Sequence, residues 1–129
     1  MRMEHANITV TDIDRSIDFY HQIFGFSERW RGTANGSAGP VRAVHVGSED
    51  TYLSLFEADS QREISTNYGR PGFNHLGFQV ADLAPYRKSL TALGVNVHLE
   101  QDYEPGERIY FFDPDGVEIE LVCYPEGGR

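Results

Sequence analysis

The sequence predicts an α+β fold of two βαβββ modules that form a cupped, barrel-like mixed sheet with the helices outside. Three observations predict it: an alternating strand opens each half of the chain, a helical pattern follows each strand, and each helix stops at a glycine. His75 follows His5 by 70 residues, and Gly94 follows Gly25 by 69. Repetition at a nearly fixed spacing indicates that both halves build the same supersecondary unit.

A polar segment separates the two halves of the chain. We expect module 1 to cover about residues 1–58, a linker to cover 59–73, and module 2 to cover about 74–125. The end of the linker contains glycine and proline, residue types that interrupt helices and strands.

The charge balance excludes two classes of partner. The 129 residues include 20 acidic and 11 basic side chains, which gives a formal charge of −9. We therefore expect no nucleic-acid partner and no membrane partner. No apolar stretch is long enough to span a bilayer, and the first residues lack the pattern of a signal peptide. The expected protein is cytoplasmic and acts on a small molecule.

Module 1 is expected to open with a strand over residues 5–10, where polar and apolar residues alternate. A helix follows, capped by Asp12 or Asp14 and ended by Gly25. Its apolar stripe consists of Ile13, Ile17, Tyr20 and Phe24. The glycine-rich composition of residues 32–40 predicts a flexible loop. Strands are predicted around this loop, over residues 26–31, 41–46 and 51–57.

Module 2 is expected to repeat this order. A strand begins near residue 73, and a helix follows in which Asp82 is the cap and Gly94 the stop. Its apolar stripe consists of Leu83, Tyr86, Leu90 and Leu93. Residues 113–116, Asp-Pro-Asp-Gly, predict a hairpin turn, because proline presets φ and glycine permits positive φ. The remaining strands are predicted over residues 95–99, 108–112 and 117–124, with a polar loop over 100–107.

Period-two alternation places chemically active side chains on one strand face. Glu120 points to the opposite sheet face from its chain neighbours Ile119 and Leu121. A carboxylate on that face needs a cation, a hydrogen-bond donor or a metal as its partner. His5 and His75 open the two halves of the chain with the same parity. Two imidazoles and one carboxylate form sites that leave coordination positions open for substrate. We therefore predict one divalent ion, Fe²⁺, Mn²⁺, Zn²⁺ or Ni²⁺, bound by His5, His75 and Glu120.

Each of these residues also has an ordinary structural explanation. His5 could be a solvent-exposed residue near a terminus, His75 a hydrogen-bonded strand histidine, and Glu120 a salt-bridge partner. Their equivalent repeat positions and shared parity favour the metal site. By the same parity, the substrate cavity is predicted to be lined by Asn7, Ser54, Phe56, Gln79, Arg108 and Glu118.

Two arginines complete the predicted cavity. Arg108 follows Arg42 by 66 residues, and this spacing makes the two residues equivalent in the repeat. Both share parity with Tyr110 and are placed to bind an anionic substrate group through bidentate contacts. Surface pairing within this acidic protein is the alternative.

Several motifs resemble those of the vicinal oxygen chelate superfamily, which includes glyoxalase I, bleomycin-resistance proteins and extradiol dioxygenases. The resemblance covers nearly the whole chain, and it implies the fold and the metal position rather than the reaction. It rests on His5, the helix that ends in Phe24-Gly25-Phe26, the strand opening at residues 74–78, and the turn at 113–116 that leads into Ile119-Glu120-Leu121.

The resemblance implies three alternative functions. We favour a metal-dependent, oxygenase-type enzyme for a small substrate with vicinal oxygens, in which Tyr110 donates a hydrogen bond to the metal-bound substrate. A glyoxalase-I-like lyase or isomerase would take a fourth ligand, and because Ser54 occupies that position, Glu57 would have to supply it. The third alternative is a metal-free binding protein of the bleomycin-resistance type. Members commonly pair modules across a subunit boundary, so we also expect a homodimer.

Overall fold

The computed structural model describes residues 1–58 and 68–125, except for the side chain of Tyr103. Most of the predicted linker, residues 59–67, lies outside this part of the chain. The chain divides into two compact units, Met1–Arg62 and Glu63–Arg129, here called unit 1 and unit 2.

Unit 1 contains one helix and a four-stranded mixed sheet in the order β1-β4-β3-β2. Strands β1 and β4 are parallel, whereas β4, β3 and β2 pair antiparallel. Helix α1 packs on β3 and β4. The elements are β1 His5–Val10, α1 Ile13–Phe24, β2 Ser27–Gly36, β3 Gly39–Gly47 and β4 Tyr52–Glu57.

Unit 2 has the same element order and the same sheet topology, β5-β8-β7-β6. Strands β5 and β8 are parallel, and the others pair antiparallel. The elements are β5 His75–Gln79, α2 Ala84–Ala92, β6 Leu99–Tyr103, β7 Gly106–Phe112 and β8 Glu118–Cys123. The predicted α+β class and the repeated βαβββ module are confirmed. None of the helices in the described ranges is long and apolar enough to cross a membrane.

The first helix begins and ends where the sequence predicts. The Asp12 side chain accepts a hydrogen bond from Arg15 N, and Gly25 ends the helix with φ of 68°. The predicted stripe is wrong by a small rotation, since Ile17 and Phe24 are only half-buried. The buried face consists of Ile13, Ser16, Phe19, Tyr20 and Ile23.

The second helix is capped differently from the prediction. Leu83 occupies the N-cap position and makes no side-chain capping bond. The Asp82 carboxylate instead accepts from Ala84 N at 2.9 Å, just before the helix. Gly94 follows the C-cap with φ of 69°, which confirms the predicted stop.

Two predicted loops are strands in the structure. Residues 32–40 form most of a hairpin, in which β2 pairs with β3 up to Gly36 and Gly39. Of the predicted strand over 95–99 only Leu99 lies in a strand, and β6 continues from Leu99 to Tyr103, into the segment predicted as a polar loop. Both β2 and β6 lie at the edge of their sheets.

The turn between β7 and β8 forms as predicted. The Asp113 carboxylate accepts from Asp115 N and from Val117 N, both at 2.9 Å. Gly116 takes a φ of 88°, a conformation that glycine adopts at little cost. This turn fixes the register that places Tyr110 opposite Glu120.

Candidate functional site

His75 and Glu120 lie side by side on neighbouring parallel strands of unit 2. The β5–β8 register pairs His75 with Glu118 and Gly77 with Glu120, so the polar side chains share one sheet face. His75 Nε2 lies 2.9 Å from Glu120 Oε2. The Glu120 side chain is only 13% exposed, so its oxygen atoms need hydrogen-bond partners from the protein.

Arg108 holds the other oxygen of the Glu120 carboxylate. Its Nε donates to Glu120 Oε1 at 2.7 Å, and its side chain is likewise 13% exposed. The guanidinium also donates to Gly106 O at 2.8 Å. Arg108 therefore contacts a carboxylate rather than presenting an open cationic group, and it fixes the plane in which Glu120 faces His75.

A second carboxylate, Glu118, lies next to the pair and is buried. Its Oε2 lies 3.1 Å from His98 Nε2, and its Oε1 accepts a hydrogen bond from the Tyr68 hydroxyl. This bond, and then burial, raises the pKa of Tyr68 to about 12. The Tyr68 oxygen also lies 3.1 Å from His75 Nδ1.

These contacts join six side chains in one polar chain. Its members, in order of contact, are His98, Glu118, Tyr68, His75, Glu120 and Arg108. The sequence analysis missed two of them. Tyr68 falls in the predicted linker, where only an aromatic residue in a polar stretch marks it. His98 falls in a segment predicted as a strand, and no alternation there indicates which way it points.

Tyr110 is buried beside this polar chain. It pairs with Glu120 in the β7–β8 register, and its ring meets the His75 ring edge-on at 5.8 Å between centroids. The predicted cavity residue Gln79 lies at the exposed end of β5, paired with Val122 in register. Of the predicted residues in unit 2, the structure thus brings His75, Arg108, Tyr110, Glu118 and Glu120 together.

The remaining predicted residues belong to unit 1. His5 is the first residue of β1, and its Nδ1 lies 3.0 Å from the carboxylate of Glu4. Its ring stacks on Tyr52 with centroids 4.9 Å apart. Asn7 Nδ2 donates to Ser54 O at 2.9 Å, which connects β1 to β4.

Ser54 and Phe56 lie on the same face of the unit 1 sheet as His5 and Asn7. Ser54 is buried and its hydroxyl lies 3.2 Å from Asn7 Nδ2, while Phe56 is half-buried two residues further along β4. In register, His5 pairs with Tyr52 as His75 pairs with Glu118. Ser54 is therefore the repeat equivalent of Glu120.

Glu57 is engaged elsewhere. Its carboxylate accepts two hydrogen bonds from Arg42, at 2.9 and 2.6 Å, and one from Ile13 N at 3.1 Å at the start of α1. The Arg42 contact, opposed by partial burial, holds the pKa of the Glu57 carboxyl below its usual value. The two Arg42 nitrogens and Ile13 N lie on the side of the sheet that faces α1, so the Glu57 carboxylate points to that side as well.

The predicted equivalence of the two arginines is wrong. His45 pairs with Ser54, and Tyr110 pairs with Glu120, so the repeat spacing on β3 and β7 is one residue shorter than on β4 and β8. A shift of one residue moves a side chain to the other sheet face. Arg42 therefore pairs with Glu57, while Arg108 remains on the face of Tyr110.

Two possible metal donors in unit 2, His75 and Glu120, have the separation of adjacent ligands. Neighbouring ligands at right angles, with bonds of about 2.1 Å, lie about 3 Å apart. The observed separation of His75 Nε2 and Glu120 Oε2 is 2.9 Å. Within residues 1–58 and 68–125 no group of three or more His, Cys, Asp and Glu side chains is arranged to hold a metal. Unit 2 thus offers two donors, and a third has to be added.

A family model described as the glyoxalase/bleomycin resistance protein/dioxygenase superfamily matches residues 2–121. Among similar curated proteins, a metallothiol transferase FosB from Bacillus licheniformis is 29% identical, over 92% of this chain and 73% of its own length. A lactoylglutathione lyase from Haemophilus influenzae is 28% identical, over 95% of this chain and 92% of its own length.

Solved structures show the same fold. One is a mutant of the fosfomycin resistance protein FosX from Listeria monocytogenes, in complex with Mn(II) and 1S,2S-dihydroxypropylphosphonic acid. It matches with a TM-score of 0.76 and 23% identity, over 96% of this chain and 93% of its own length.

Proposed function

The chain belongs to the glyoxalase/bleomycin resistance protein/dioxygenase superfamily, and we propose that it is a divalent-metal-dependent enzyme acting on a small substrate with two neighbouring oxygen atoms. The proposal depends most on one observation: His75 Nε2 and Glu120 Oε2 face each other at 2.9 Å, on the sheet face that carries the buried Tyr110. An imidazole and a carboxylate at the separation of adjacent ligands suit Fe²⁺, Mn²⁺, Zn²⁺ or Ni²⁺.

We propose His5 as the third ligand. It occupies in unit 1 the position that His75 occupies in unit 2, at the start of a strand that pairs parallel with the last strand of its sheet. Its side chain is 44% exposed, and it contacts the surface carboxylate Glu4 and the Tyr52 ring. Neither contact holds His5 in the way that Arg108 holds Glu120.

The other residues of the polar face would bind and orient the substrate. Arg108 would hold the Glu120 carboxylate in place, and Tyr110 would donate its hydroxyl proton to a substrate oxygen. Asn7, Ser54, Phe56, Gln79 and Glu118 remain the proposed cavity residues. A bound divalent ion would supply a Lewis acid and a template for the two oxygens.

The named relatives favour group transfer or lyase chemistry over oxygenase chemistry. FosB is a transferase and the other protein is a lyase, whereas the pattern around Tyr110 favours oxygenase chemistry. We therefore place group transfer or lyase chemistry first and oxygenase chemistry second. A glyoxalase-like mechanism with Glu57 as fourth ligand would require breaking two hydrogen bonds from Arg42 and one from Ile13 N.

Metal analysis of single variants tests the proposal. Protein purified without chelator should contain close to one divalent ion per site, and His75→Gln or Glu120→Gln should lose it. Glu57→Gln is the matched control, because its carboxylate is held by Arg42, and it should keep the ion. Full metal content in both site variants would refute the site, and loss of metal in Glu57→Gln would support the four-ligand alternative.

A substrate screen then separates the reaction classes. Metal-loaded protein should be assayed against thiol adducts of α-ketoaldehydes, phosphonate epoxides with added thiols, and catechols. Turnover of either of the first two classes supports lyase or transferase chemistry, and turnover of catechols supports the oxygenase. Stoichiometric binding of a compound by metal-free wild-type protein, without turnover, supports a binding protein instead.

A further inference from the structure

We propose that Tyr68, held by Glu118, sets the imidazole tautomer of His75 so that Nε2 is free to bind the metal ion. This inference rests on the proposed function, because it assigns His75 as a ligand. It makes Tyr68 a positioning residue, since Tyr68 acts through His75 rather than on the substrate.

The argument begins with the single proton of the Tyr68 hydroxyl. That oxygen has two neighbours, Glu118 Oε1 and His75 Nδ1, the latter at 3.1 Å. The hydroxyl donates this proton to Glu118. Its oxygen keeps its acceptor capacity and is left to accept a hydrogen bond from His75 Nδ1.

Glu118 is held firmly enough to impose this direction. Its side chain is 7% exposed, and its second oxygen lies 3.1 Å from His98 Nε2. It is also the direct neighbour of His75 in the β5–β8 register. Because the carboxylate is fixed from both sides, Tyr68 cannot turn its proton towards His75 without leaving a buried acceptor short of a donor.

A proton on Nδ1 has a direct consequence for the opposite nitrogen. A neutral imidazole carries one proton, so protonation of Nδ1 places the lone pair on Nε2. Nε2 is the nitrogen that lies 2.9 Å from Glu120 Oε2. The tautomer that Tyr68 favours is therefore the one in which Nε2 and the carboxylate can both bind a cation.

The alternative tautomer would block the site. Glu120 Oε2 could accept a proton from Nε2, and this contact competes with Tyr68 for the single proton of the ring. Two contacts favour the His75 tautomer that carries its proton on Nδ1. Arg108 already draws on the charge of Glu120, and a hydroxyl that donates to a carboxylate becomes a better acceptor itself.

Partners of this kind matter for metal affinity in general. A histidine ligand usually donates its other ring N–H to a nearby acceptor, and loss of that acceptor typically lowers metal affinity by about 10- to 100-fold. In this chain the acceptor is a tyrosine that contributes no atom to the metal.

Nuclear magnetic resonance of the metal-free protein tests the tautomer directly. Long-range ¹H–¹⁵N spectra of histidine-labelled protein, recorded at about pH 8 where an ordinary imidazole is neutral, show which nitrogen carries the proton. His75 is assigned by the signal that disappears in His75→Gln. We expect the proton on Nδ1 in the wild type and on Nε2 in Tyr68→Phe. Tyr86→Phe, on α2, is the control and should match the wild type.

Metal affinity gives a second readout. Calorimetric titration with Mn²⁺ should show binding about 10- to 100-fold weaker for Tyr68→Phe than for the wild type, and unchanged for Tyr86→Phe. Tyr68 is 62% exposed, so its replacement by phenylalanine should leave the fold intact, which circular dichroism checks.

The outcomes separate the inference from the proposed function. An unchanged His75 tautomer in Tyr68→Phe overturns the inference, whatever the metal does. A changed tautomer with unchanged Mn²⁺ affinity also overturns it. If the tautomer changes but wild-type protein binds no divalent ion, the control of the tautomer by Tyr68 is supported and the proposed function alone fails.

Discussion

Glu57 ends β4 and Glu120 lies in the middle of β8, and the two strand carboxylates have different surroundings. Glu120 lies between an arginine and a histidine on the polar sheet face, whereas Glu57 lies between Arg42 and the first turn of α1. An anion at a helix N-terminus is stabilised by unpaired N–H groups and by the helix dipole. We therefore assign Glu57 to the stability of unit 1, whereas Glu120 is a residue of the proposed functional site.

The Glu57 environment predicts a pH-dependent contribution to stability. Its folded-state pKa lies below the ordinary value of 4.5, so the stabilisation is complete above that value and is lost as pH falls through the folded-state pKa. Glu57→Gln should therefore lower the melting temperature at pH 7 and have progressively less effect below about pH 4. Thermal unfolding followed by circular dichroism between about pH 7 and pH 3 measures this difference.

Glu49→Gln serves as the control for that experiment, because Glu49 is an exposed carboxylate in the turn between β3 and β4. It should shift the melting temperature little at any pH. A Glu57→Gln protein that melts like the wild type at pH 7 would show that the Arg42 and Ile13 contacts contribute nothing measurable.

At the scale of single residues, period-two alternation was a sound guide to which side chains share a face. It grouped Tyr110, Glu118 and Glu120 correctly, because strand geometry alone fixes that grouping. It could not find Tyr68, whose contact with Glu118 joins residues 50 positions apart in the sequence. It also misassigned Arg42, because the one-residue difference in register between the repeats leaves no mark in the sequence.

At the scale of elements, sequence reasoning shortened β2 to residues 26–31 and missed most of β6, and each of these strands lies at an edge of its sheet. The strands that were predicted in full carry apolar residues on at least one face, whereas β2 and β6 carry the charged residues and glycine with which an edge strand discourages pairing with other chains. β6 contains Glu100, Gln101 and Asp102, and β2 contains two glycines, so both look like loops by composition. Their pairing partners, β7 and β3, were predicted with shortened N-terminal ends for the same reason.

Gly32 has a specific role in the β2–β3 hairpin. A Cβ added at this position would lie 2.5 Å from Trp30 Cζ2 and 2.7 Å from Cη2, so the indole packs against the bare backbone. The Trp30 ring also meets the His45 ring, with centroids 4.9 Å apart. Gly32, which suggests a flexible loop in the sequence, thus provides the backbone surface against which the Trp30 indole packs.

Gly32→Ala should displace the Trp30 indole from its contact with the backbone at residue 32. The chain has a single tryptophan, so its fluorescence reports this position alone. We expect emission to shift to longer wavelength, because the ring moves further into water, and to gain intensity as contact with His45 is lost. Gly77→Ala is the matched control, since an added Cβ there meets nothing within 4 Å. Identical spectra for Gly32→Ala and wild type would contradict the packing.

At the scale of the whole molecule, the repeat was predictable and its asymmetry was partly so. Both units have the same strand order, but Glu120 has Ser54 as its counterpart, and Tyr52 is the counterpart of Glu118. Unit 2 therefore contributes two metal donors and unit 1 contributes one, His5, in the proposed site. Sequence spacing correctly paired His5 with His75 and Ser54 with Glu120, but it does not indicate whether the donors of the proposed site come from one chain or from two.

We predict a homodimer in which His5 of one subunit completes the site of His75 and Glu120 of the other. A ligand that binds only the assembled state stabilises that state by mass action, so metal removal should weaken the dimer. Sedimentation of apo and metal-loaded protein at low micromolar concentration measures this effect. A monomer under both conditions rejects the dimer, and a dimer whose affinity does not depend on metal rejects the bridging ion.

Mixing His5→Ala chains with His75→Ala chains assigns the donors, because one intact site per heterodimer returns only if each site takes His5 from one chain and His75 from the other. If metal binding fails to recover although mixed dimers form, the three donors belong to a single chain.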